Sequence, residues 1–190
     1  MNHFFAYINR MRFIQRWALM RNSYSENIQE HSHQVAVLAH ALAVLRNEYF
    51  GGQVDAGQVA AAALYHDAAE ILTGDMPTPI KYYNPDIRDA YKNVERVAER
   101  KLLDMLPPEL RPSYEELLRP ADPEVETLVK AADKLAAHIK CLEELKAGND
   151  EFRRAAQQTA AALDEMDLPE LRYFREHSLP SYRLTLDELE

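Results

Sequence analysis

The segment VAAAALYHDAAEIL, residues 59–72, restricts the fold of this chain more than any other part of the sequence. It is apolar almost all round a helical wheel, which predicts a helix buried at the centre of the domain. Asp55 can cap the start of this helix, and Gly74 ends it. The 190 residues include only five glycines, and no segment shows sustained alternation of polar and apolar residues. We therefore predict an all-α fold, with residues 1–190 forming a single domain, a bundle of six or more helices.

Capping residues and helix breakers set the bounds of the other predicted elements. Asn27, with Glu30 three residues later, resembles a capping box and opens a long helix. The further predicted helices cover residues 27–50, 86–106, 124–147 and 151–166, and a helix at the N-terminus places Phe4, Phe5, Ile8 and Met11 on one face. The predicted irregular or solvated parts are a proline-containing loop at 74–84, a solvated helical face at 142–146 (LEELK) and an extended tail after a short C-terminal helix.

Charge and composition limit the classes of partner. With 31 acidic and 22 basic side chains the net charge is −9, so we expect no nucleic-acid polymer as a partner, although a small phosphorylated ligand can still find a local cationic pocket. The longest apolar run, residues 59–65, is too short for a membrane span, and the N-terminus has no signal-peptide pattern. Cys141 is the only cysteine, so no internal disulfide can form and it is expected to pack in the interior. A cytoplasmic location is the simplest interpretation.

Three ionisable residues interrupt the apolar central segment. An ideal helix would place His66 and Glu70 on one face, with Asp67 about 100° to the side. Burying such groups is costly unless they are paired. A divalent cation held by imidazole and carboxylate would offset this cost, leaving Glu70 to handle a proton. A buried histidine that is simply hydrogen-bonded to its neighbouring carboxylate is the alternative.

Two residues on other helices extend this possible metal site. His31 is in register with the apolar stripe of its helix and points inward, whereas His33 and His40 are expected to face solvent. Asp133 lies at the edge of an apolar stripe among small residues, where it is either a surface group or a fourth ligand. Such a ligand set, with open positions for water and substrate, is typical of a catalytic metal site.

The order His … His-Asp … Asp on helices resembles that of the HD-domain metal-dependent phosphohydrolases. Longer stretches resemble the bacterial 5′-deoxynucleotidase family of the YfbR type, in the same order and over essentially the whole chain. These stretches are RWALMRN, ENIQEHS, LYHDAAEILTGDMPTPIKYYN, VKAADKLAAHIKCLEEL and LTLDEL. The combination of HDAAEILTGDMPTP with the Arg-Trp pair is the most specific part of the resemblance.

The resemblance implies a homodimeric enzyme that removes phosphate from deoxyribonucleoside 5′-monophosphates with one divalent transition metal ion. A donor set of two histidines and two aspartates would accept cobalt, manganese, zinc or copper. The implied metal ligands are His31, His66, Asp67 and Asp133. The implied substrate-binding residues are Arg16, Trp17, His31, Asp67, Asp75, Met76, Pro77, Thr78 and Asp133. Glu70 and Arg16 match the catalytic residues: Glu70 is the acidic group and Arg16 orients the phosphate.

Physical chemistry is consistent with these roles. A guanidinium can hold two phosphate oxygens in a planar fork, and a bound metal lowers the pKa of water to create the nucleophile. The indole of Trp17 could fill the space that a 2′-hydroxyl needs, and Asp75 could accept a hydrogen bond from the 3′-hydroxyl. Taken alone, without the family resemblance, Arg16 is predicted to be a surface charge and Trp17 a core aromatic residue.

Two other functions stay open on the sequence. The first is another HD-domain phosphohydrolase, acting on a cyclic nucleotide, a nucleoside triphosphate or an alarmone; the second is a non-catalytic nucleotide-binding module. No histidine occurs between Asp67 and Asp133, which argues against a dinuclear metal centre. The complete set of predicted ligands argues against a silent module.

Overall fold

The computed structural model describes residues 1–81 and 83–189, apart from the side chains of residues 78 and 79. These residues contain no strand, only one isolated antiparallel bridge between Gln15 and Asn27, so the predicted all-α class is confirmed. The α-helices are α1 (Phe4–Ile8), α2 (Ile28–Phe50), α3 (Ala56–Tyr65), α4 (Glu70–Thr73), α5 (Thr78–Lys81), α6 (Pro85–Asp104), α7 (Arg111–Leu118), α8 (Pro123–Lys146), α9 (Arg153–Asp164) and α10 (Pro169–His177). Short 3₁₀ segments cover Asn9–Phe13, Asp150–Phe152, Leu179–Arg183 and Leu186–Glu188.

The main core lies where α2, α3 and α8 pack against one another. Its apolar side chains include Leu38 and Leu42 from α2, Val59 from α3, and Leu128 and Leu135 from α8, all at most 2% exposed. Alanines on α3 and α8 fill much of the remaining contact area, which lets the helix backbones approach closely. The elements that carry the predicted metal ligands therefore start from or belong to the helices of this core.

Side-chain caps begin two of these three helices as the sequence predicts. The side chain of Asn27 accepts hydrogen bonds from the backbone N–H of Gln29 and Glu30, and the Glu30 carboxylate accepts from the Asn27 N–H, which completes the capping box. Asp55 caps α3 through the first backbone N–H groups of that helix. The start of α2 determines which of its side chains face outward, and those of His33 and His40 are exposed, as predicted.

The central helix is not continuous, contrary to the prediction. It ends at Tyr65, and residues 66–69 form a turn before α4 begins. His66 Nδ1 lies 2.7 Å from the carbonyl oxygen of Ala63, and in the turn the N–H of Glu70 bonds to the carbonyl of Asp67, three residues back instead of four. Because a side chain competes for a helix carbonyl, the ladder is broken there. His66 and Glu70 consequently do not share one regular helical face.

Three further predictions need correction. The N-terminal helix changes to a 3₁₀ segment after Ile8. Phe5 is 51% exposed, because it lies about 100° round the helix from the buried Phe4. The predicted loop 74–84 contains the short helix α5, where proline is tolerated because it falls in the first turn. The C-terminal tail is coiled into 3₁₀ turns instead of being extended. Cys141 is fully buried, as expected.

The run LEELK is also not a solvated face, because Glu144 is fully buried and paired with Lys140. Lys140 Nζ also donates to the carbonyl oxygen of Tyr24 at 2.9 Å, and the Glu144 carboxylate accepts from the backbone N–H of Ser23 at 2.9 Å. The buried pair therefore attaches the segment that precedes α2 to the middle of the fold. None of the described helices is both long and apolar enough to cross a lipid bilayer.

We expect Lys140→Met to lower the free energy of unfolding by about 3–5 kcal/mol, because Glu144 would keep a buried charge without its partner. Urea denaturation followed by circular dichroism measures this change. Lys130→Met is the matched control, since Lys130 forms an exposed pair with Glu126 on the same helix and should cost about 1 kcal/mol or less. Equal losses in the two variants would contradict the anchoring role of the buried pair.

Candidate active site

One ligand atom from each of His31, His66 and Asp133 lies within 4.8 Å of the others. These residues come from α2, from the turn after α3 and from the middle of α8. Asp67 joins them: its Oδ2 lies 3.6 Å from His31 Nε2 and 3.2 Å from His66 Nε2. The four residues predicted as metal ligands are therefore brought together.

The hydrogen bonding of His66 prepares it to bind a cation. Its Nδ1 lies 2.7 Å from the Ala63 carbonyl oxygen, which can only accept, so in the neutral ring Nδ1 carries the proton and Nε2 keeps its lone pair. Nε2 is buried, and its 3.2 Å approach to Asp67 Oδ2 lacks the geometry of a hydrogen bond. A histidine that is held through one ring nitrogen and offers the other is the usual arrangement of a metal ligand.

The two carboxylates have the ionisation that metal binding requires. Burial opposes the charge on Asp67, yet the His66 and His31 rings and the Arg16 guanidinium hold its pKa well below the ordinary value. Burial also opposes the charge on Asp133, but the hydrogen bond from His31 and the positive charge of Lys134 likewise lower its pKa. Two imidazoles and two ionised carboxylates fit a divalent transition metal.

Arg16 is not a surface charge. Its side chain is 12% exposed; Nη1 donates to Asp67 Oδ2 at 3.2 Å and Nε donates to Glu26 Oε2 at 3.1 Å. Trp17 Nε1 donates to the same Glu26 oxygen at 3.0 Å, and its ring packs against Phe152 with the centroids 5.2 Å apart. The Arg-Trp pair therefore lies beside the cluster of His and Asp residues. Glu26, which joins the two side chains, is a residue that the sequence analysis missed.

Glu70 begins α4 and is 6% exposed. Burial and the negative charges of Asp67 and Asp75 raise its pKa to about 10, although Arg16 acts in the opposite direction. Its Oε2 is buried and has no hydrogen-bond partner among the described residues. At neutral pH this carboxyl group is therefore protonated and able to donate a proton.

Asp75 follows α4 directly and is partly buried. Gly74 has a φ of 75°, a conformation that favours glycine, and its carbonyl accepts a hydrogen bond from the Tyr91 hydroxyl at 3.2 Å. Burial and the negative charge of Asp67 raise the pKa of Asp75, and the positive charge of Arg16 acts in the opposite direction. Met76 and Pro77 come next and are partly buried. The predicted contact of Thr78 concerns a side chain outside the described part of the structure.

A cavity of about 680 Å³ opens beside the cluster, with His66 and Asp133 in its wall. Residues of α6, α7 and α8 line the rest of it, among them Lys92, Arg96 and Lys130. This volume is within the range of small-molecule sites. Acidic side chains, among them Glu95 and Glu99, line it as well, and Arg16, Trp17, Glu70 and Asp75 are not in its wall. The cavity therefore gives access to two of the predicted ligands but not to the predicted substrate-binding residues.

Comparison with known proteins agrees with this geometry. The family model described as YfbR-like 5′-deoxynucleotidase matches residues 3–182. A 5′-deoxynucleotidase of Vibrio cholerae is 52% identical over 190 residues, covering 99% of this chain and 98% of the relative. The 5′-deoxynucleotidase YfbR of Shigella boydii is 50% identical, covering 99% and 96%.

Two solved structures share the fold. An HD-domain phosphohydrolase from Listeria innocua has a TM-score of 0.82 at 22% identity, covering 95% of this chain and 88% of that one. The HD phosphohydrolase DatZ of cyanophage S-2L, bound to dA and one catalytic Zn²⁺ ion, has a TM-score of 0.64 at 24% identity, covering 93% and 96%. The match of the family model over nearly the whole chain, together with relatives at about half identity, leads to one conclusion: the chain belongs to the YfbR-like 5′-deoxynucleotidase family.

Proposed function

We propose that this chain, acting as one domain, hydrolyses deoxyribonucleoside 5′-monophosphates to deoxyribonucleosides and inorganic phosphate. Family membership makes it a phosphomonoester hydrolase. The observation that carries the proposal is the convergence of His31, His66 and Asp133 within 4.8 Å, beside a buried arginine. A cation site next to a guanidinium suits a dianionic phosphate monoester.

His31, His66, Asp67 and Asp133 would hold one divalent ion, and cobalt, manganese, zinc or copper would suit this donor set. When bound, such an ion polarises a phosphoryl oxygen and lowers the pKa of water, which supplies the nucleophile. The tautomer of His66 that the Ala63 carbonyl selects leaves Nε2 available to the ion. The lowered pKa of each aspartate keeps both carboxylates ionised.

Arg16 would orient the phosphate. Two of its nitrogens are held by Glu26 and Asp67, so the guanidinium plane is fixed before substrate arrives. Its Nη2 makes no hydrogen bond to any other described residue and can donate to a phosphate oxygen. Such preorganisation lowers the cost of aligning the phosphate for attack.

Glu70 would act as the general acid. Its raised pKa keeps the proton on the carboxyl at neutral pH, ready for transfer to the leaving 5′-oxygen of the sugar. Burial in a site that excludes water also strengthens its interaction with the charge that develops on that oxygen.

Chelated protein tests the proposal. We expect protein treated with EDTA to release no phosphate from dAMP, and one equivalent of Mn²⁺ or Co²⁺ to restore the release. Full activity after chelation, in protein shown by elemental analysis to hold no metal, would overturn the metal-dependent reaction. The homodimer, the cytoplasmic location and the substrate contacts of Met76, Pro77 and Thr78 remain part of the proposal.

Selection for deoxyribose would fall to Trp17 and Asp75. We expect Trp17→Ala to lower the ratio of kcat/KM for dAMP to kcat/KM for AMP by about 10- to 100-fold. Without the indole, the space that a 2′-hydroxyl needs would be open. Phosphate release from both nucleotides measures the ratio. Leu19→Ala is the control, since Leu19 lies two residues further along and is exposed. If Trp17→Ala leaves the ratio unchanged, the indole has only a packing role.

A further inference from the structure

Glu26 lies directly opposite Arg16 across a short pairing of two chain segments. The N–H of Arg16 donates to the Glu26 carbonyl oxygen at 2.9 Å, and the N–H of Ile28 donates to the Ile14 carbonyl oxygen at 3.0 Å, on either side of the bridge between Gln15 and Asn27. The backbone therefore fixes where the Glu26 side chain begins. At 7% exposure the residue is nearly as buried as the core.

One oxygen of Glu26 holds two consecutive side chains. Oε2 accepts from Arg16 Nε at 3.1 Å and from Trp17 Nε1 at 3.0 Å. Consecutive side chains of an extended segment point in opposite directions, so both can reach one atom only if the backbone departs from extended geometry. Trp17 has a φ of 58°, a rare and strained value for a bulky residue, and it is the only non-glycine residue with positive φ in the described part of the chain.

The same arrangement links Glu26 to the cluster of metal ligands. Arg16 lies between two carboxylates, with Nε on Glu26 and Nη1 on Asp67. A guanidinium is planar, so a fixed Nε and a fixed Nη1 determine the direction of the remaining donors. Without the Glu26 carboxylate the guanidinium plane could turn about its contact with Asp67, and a neutral acceptor in its place would hold the plane more weakly.

We infer that Glu26 is a positioning residue, whose single carboxylate sets both the guanidinium of Arg16 against the phosphate and the indole of Trp17 against the sugar. Phosphate alignment and sugar selection are thereby coupled through one side chain. The inference rests on the proposed function for the roles of Arg16 and Trp17, while the coupling itself rests on the hydrogen bonds.

Glu26→Gln tests the inference because it keeps the shape of the side chain and removes its charge. We expect kcat for dAMP to fall about 10- to 100-fold, as is usual when a group that orients an active-site residue is changed, and the dAMP to AMP ratio of kcat/KM to narrow. Glu30→Gln is the matched control, because Glu30 is exposed, belongs to the capping box of α2 and has no contact with Arg16 or Trp17. It should leave both quantities unchanged.

A second readout does not depend on activity. Trp17 is the only tryptophan of the chain, so fluorescence excited at a wavelength that the ten tyrosines do not absorb reports on it alone. We expect acrylamide to quench the fluorescence of Glu26→Gln more strongly than that of the parent protein or of Glu30→Gln, since the indole loses its charged acceptor. Thermal unfolding of the two variants, if similar, excludes general destabilisation as the cause.

A double variant isolates the coupling. If Glu26 acts on sugar selection through the indole N–H, Trp17→Phe should already remove that effect. Adding Glu26→Gln to Trp17→Phe should then change the dAMP to AMP ratio no further, while kcat still falls through Arg16. Fully additive effects on the ratio would contradict the coupling.

The outcomes separate the inference from the proposed function. Unchanged quenching and an unchanged ratio in an active Glu26→Gln protein would overturn the inference and leave the function intact. A parent protein with no activity on any deoxynucleotide would overturn the function, whereas increased quenching in Glu26→Gln would still support the positioning of Trp17. Should Glu26→Gln fail to fold, Glu26→Asp, which keeps the charge on a shorter side chain, is measured against the same control and the same criteria apply.

Discussion

Glu70→Gln is expected to lower the turnover number about 100- to 10,000-fold while leaving the metal content unchanged. Glutamine has nearly the same size as glutamate but no acidic proton to give to the leaving oxygen. The carboxyl of Glu70 is buried, and burial together with the charges of Asp67 and Asp75 raises its pKa to about 10, so it holds that proton at neutral pH. Phosphate release from dAMP and elemental analysis of the purified protein measure the two quantities.

The control for Glu70→Gln is Glu115→Gln, an exposed position on α7, which should behave like the parent protein. Loss of metal together with activity would mean that Glu70 helps to hold the ion. Turnover within about twofold of that of the parent protein would mean that Glu70 takes no part in the reaction. Either result would contradict the role assigned to it here.

His66→Ala is expected to abolish turnover for a different reason, the loss of the metal ion. The buried Nε2 of His66 is the ligand atom, and alanine offers no atom in its place. The metal affinity of the variant should therefore fall by at least about 100-fold. Titration with Mn²⁺ or Co²⁺ measures the affinity, and phosphate release the turnover. Excess metal should restore part of the activity.

His40→Ala is the matched control for this variant, because His40 lies on the outer face of α2 and is exposed. It should bind metal with the affinity of the parent protein. A His66→Ala protein that retains full metal affinity would contradict the assignment of His66 as a ligand. Together, the Glu70 and His66 variants separate proton transfer from metal binding.

The sequence was sufficient to predict most of the long helices and the four His and Asp residues that meet at the site. Cap residues such as Asn27 and Asp55 act on the backbone groups next to them, so their effect can be predicted from local spacing. The inward position of His31 follows from the apolar stripe of α2 in the same way. The meeting of His31 with Asp133 depends on the packing of α2 against α8, for which the family pattern was the guide.

The remaining features depend on contacts that helical periodicity does not encode. The break after Tyr65 arises where the His66 ring takes the carbonyl of Ala63, which an ideal helical wheel does not show. Glu26 lies in an irregular segment ten residues from Arg16, where no periodicity indicates which way a side chain points. Glu144 looked solvated because its partners, Ser23 and Lys140, are brought to it only by the folded chain.

The most direct test of the account is phosphate release from matched nucleotide pairs, dAMP with AMP and dUMP with UMP, by chelated protein to which Mn²⁺ or Co²⁺ is restored. We predict metal-dependent release from the deoxynucleotide of each pair and little from its ribose counterpart. Equal release from both members would contradict the deoxyribose selectivity attributed to Trp17 and Asp75. No release from either, with metal bound, would contradict the 5′-deoxynucleotidase activity itself.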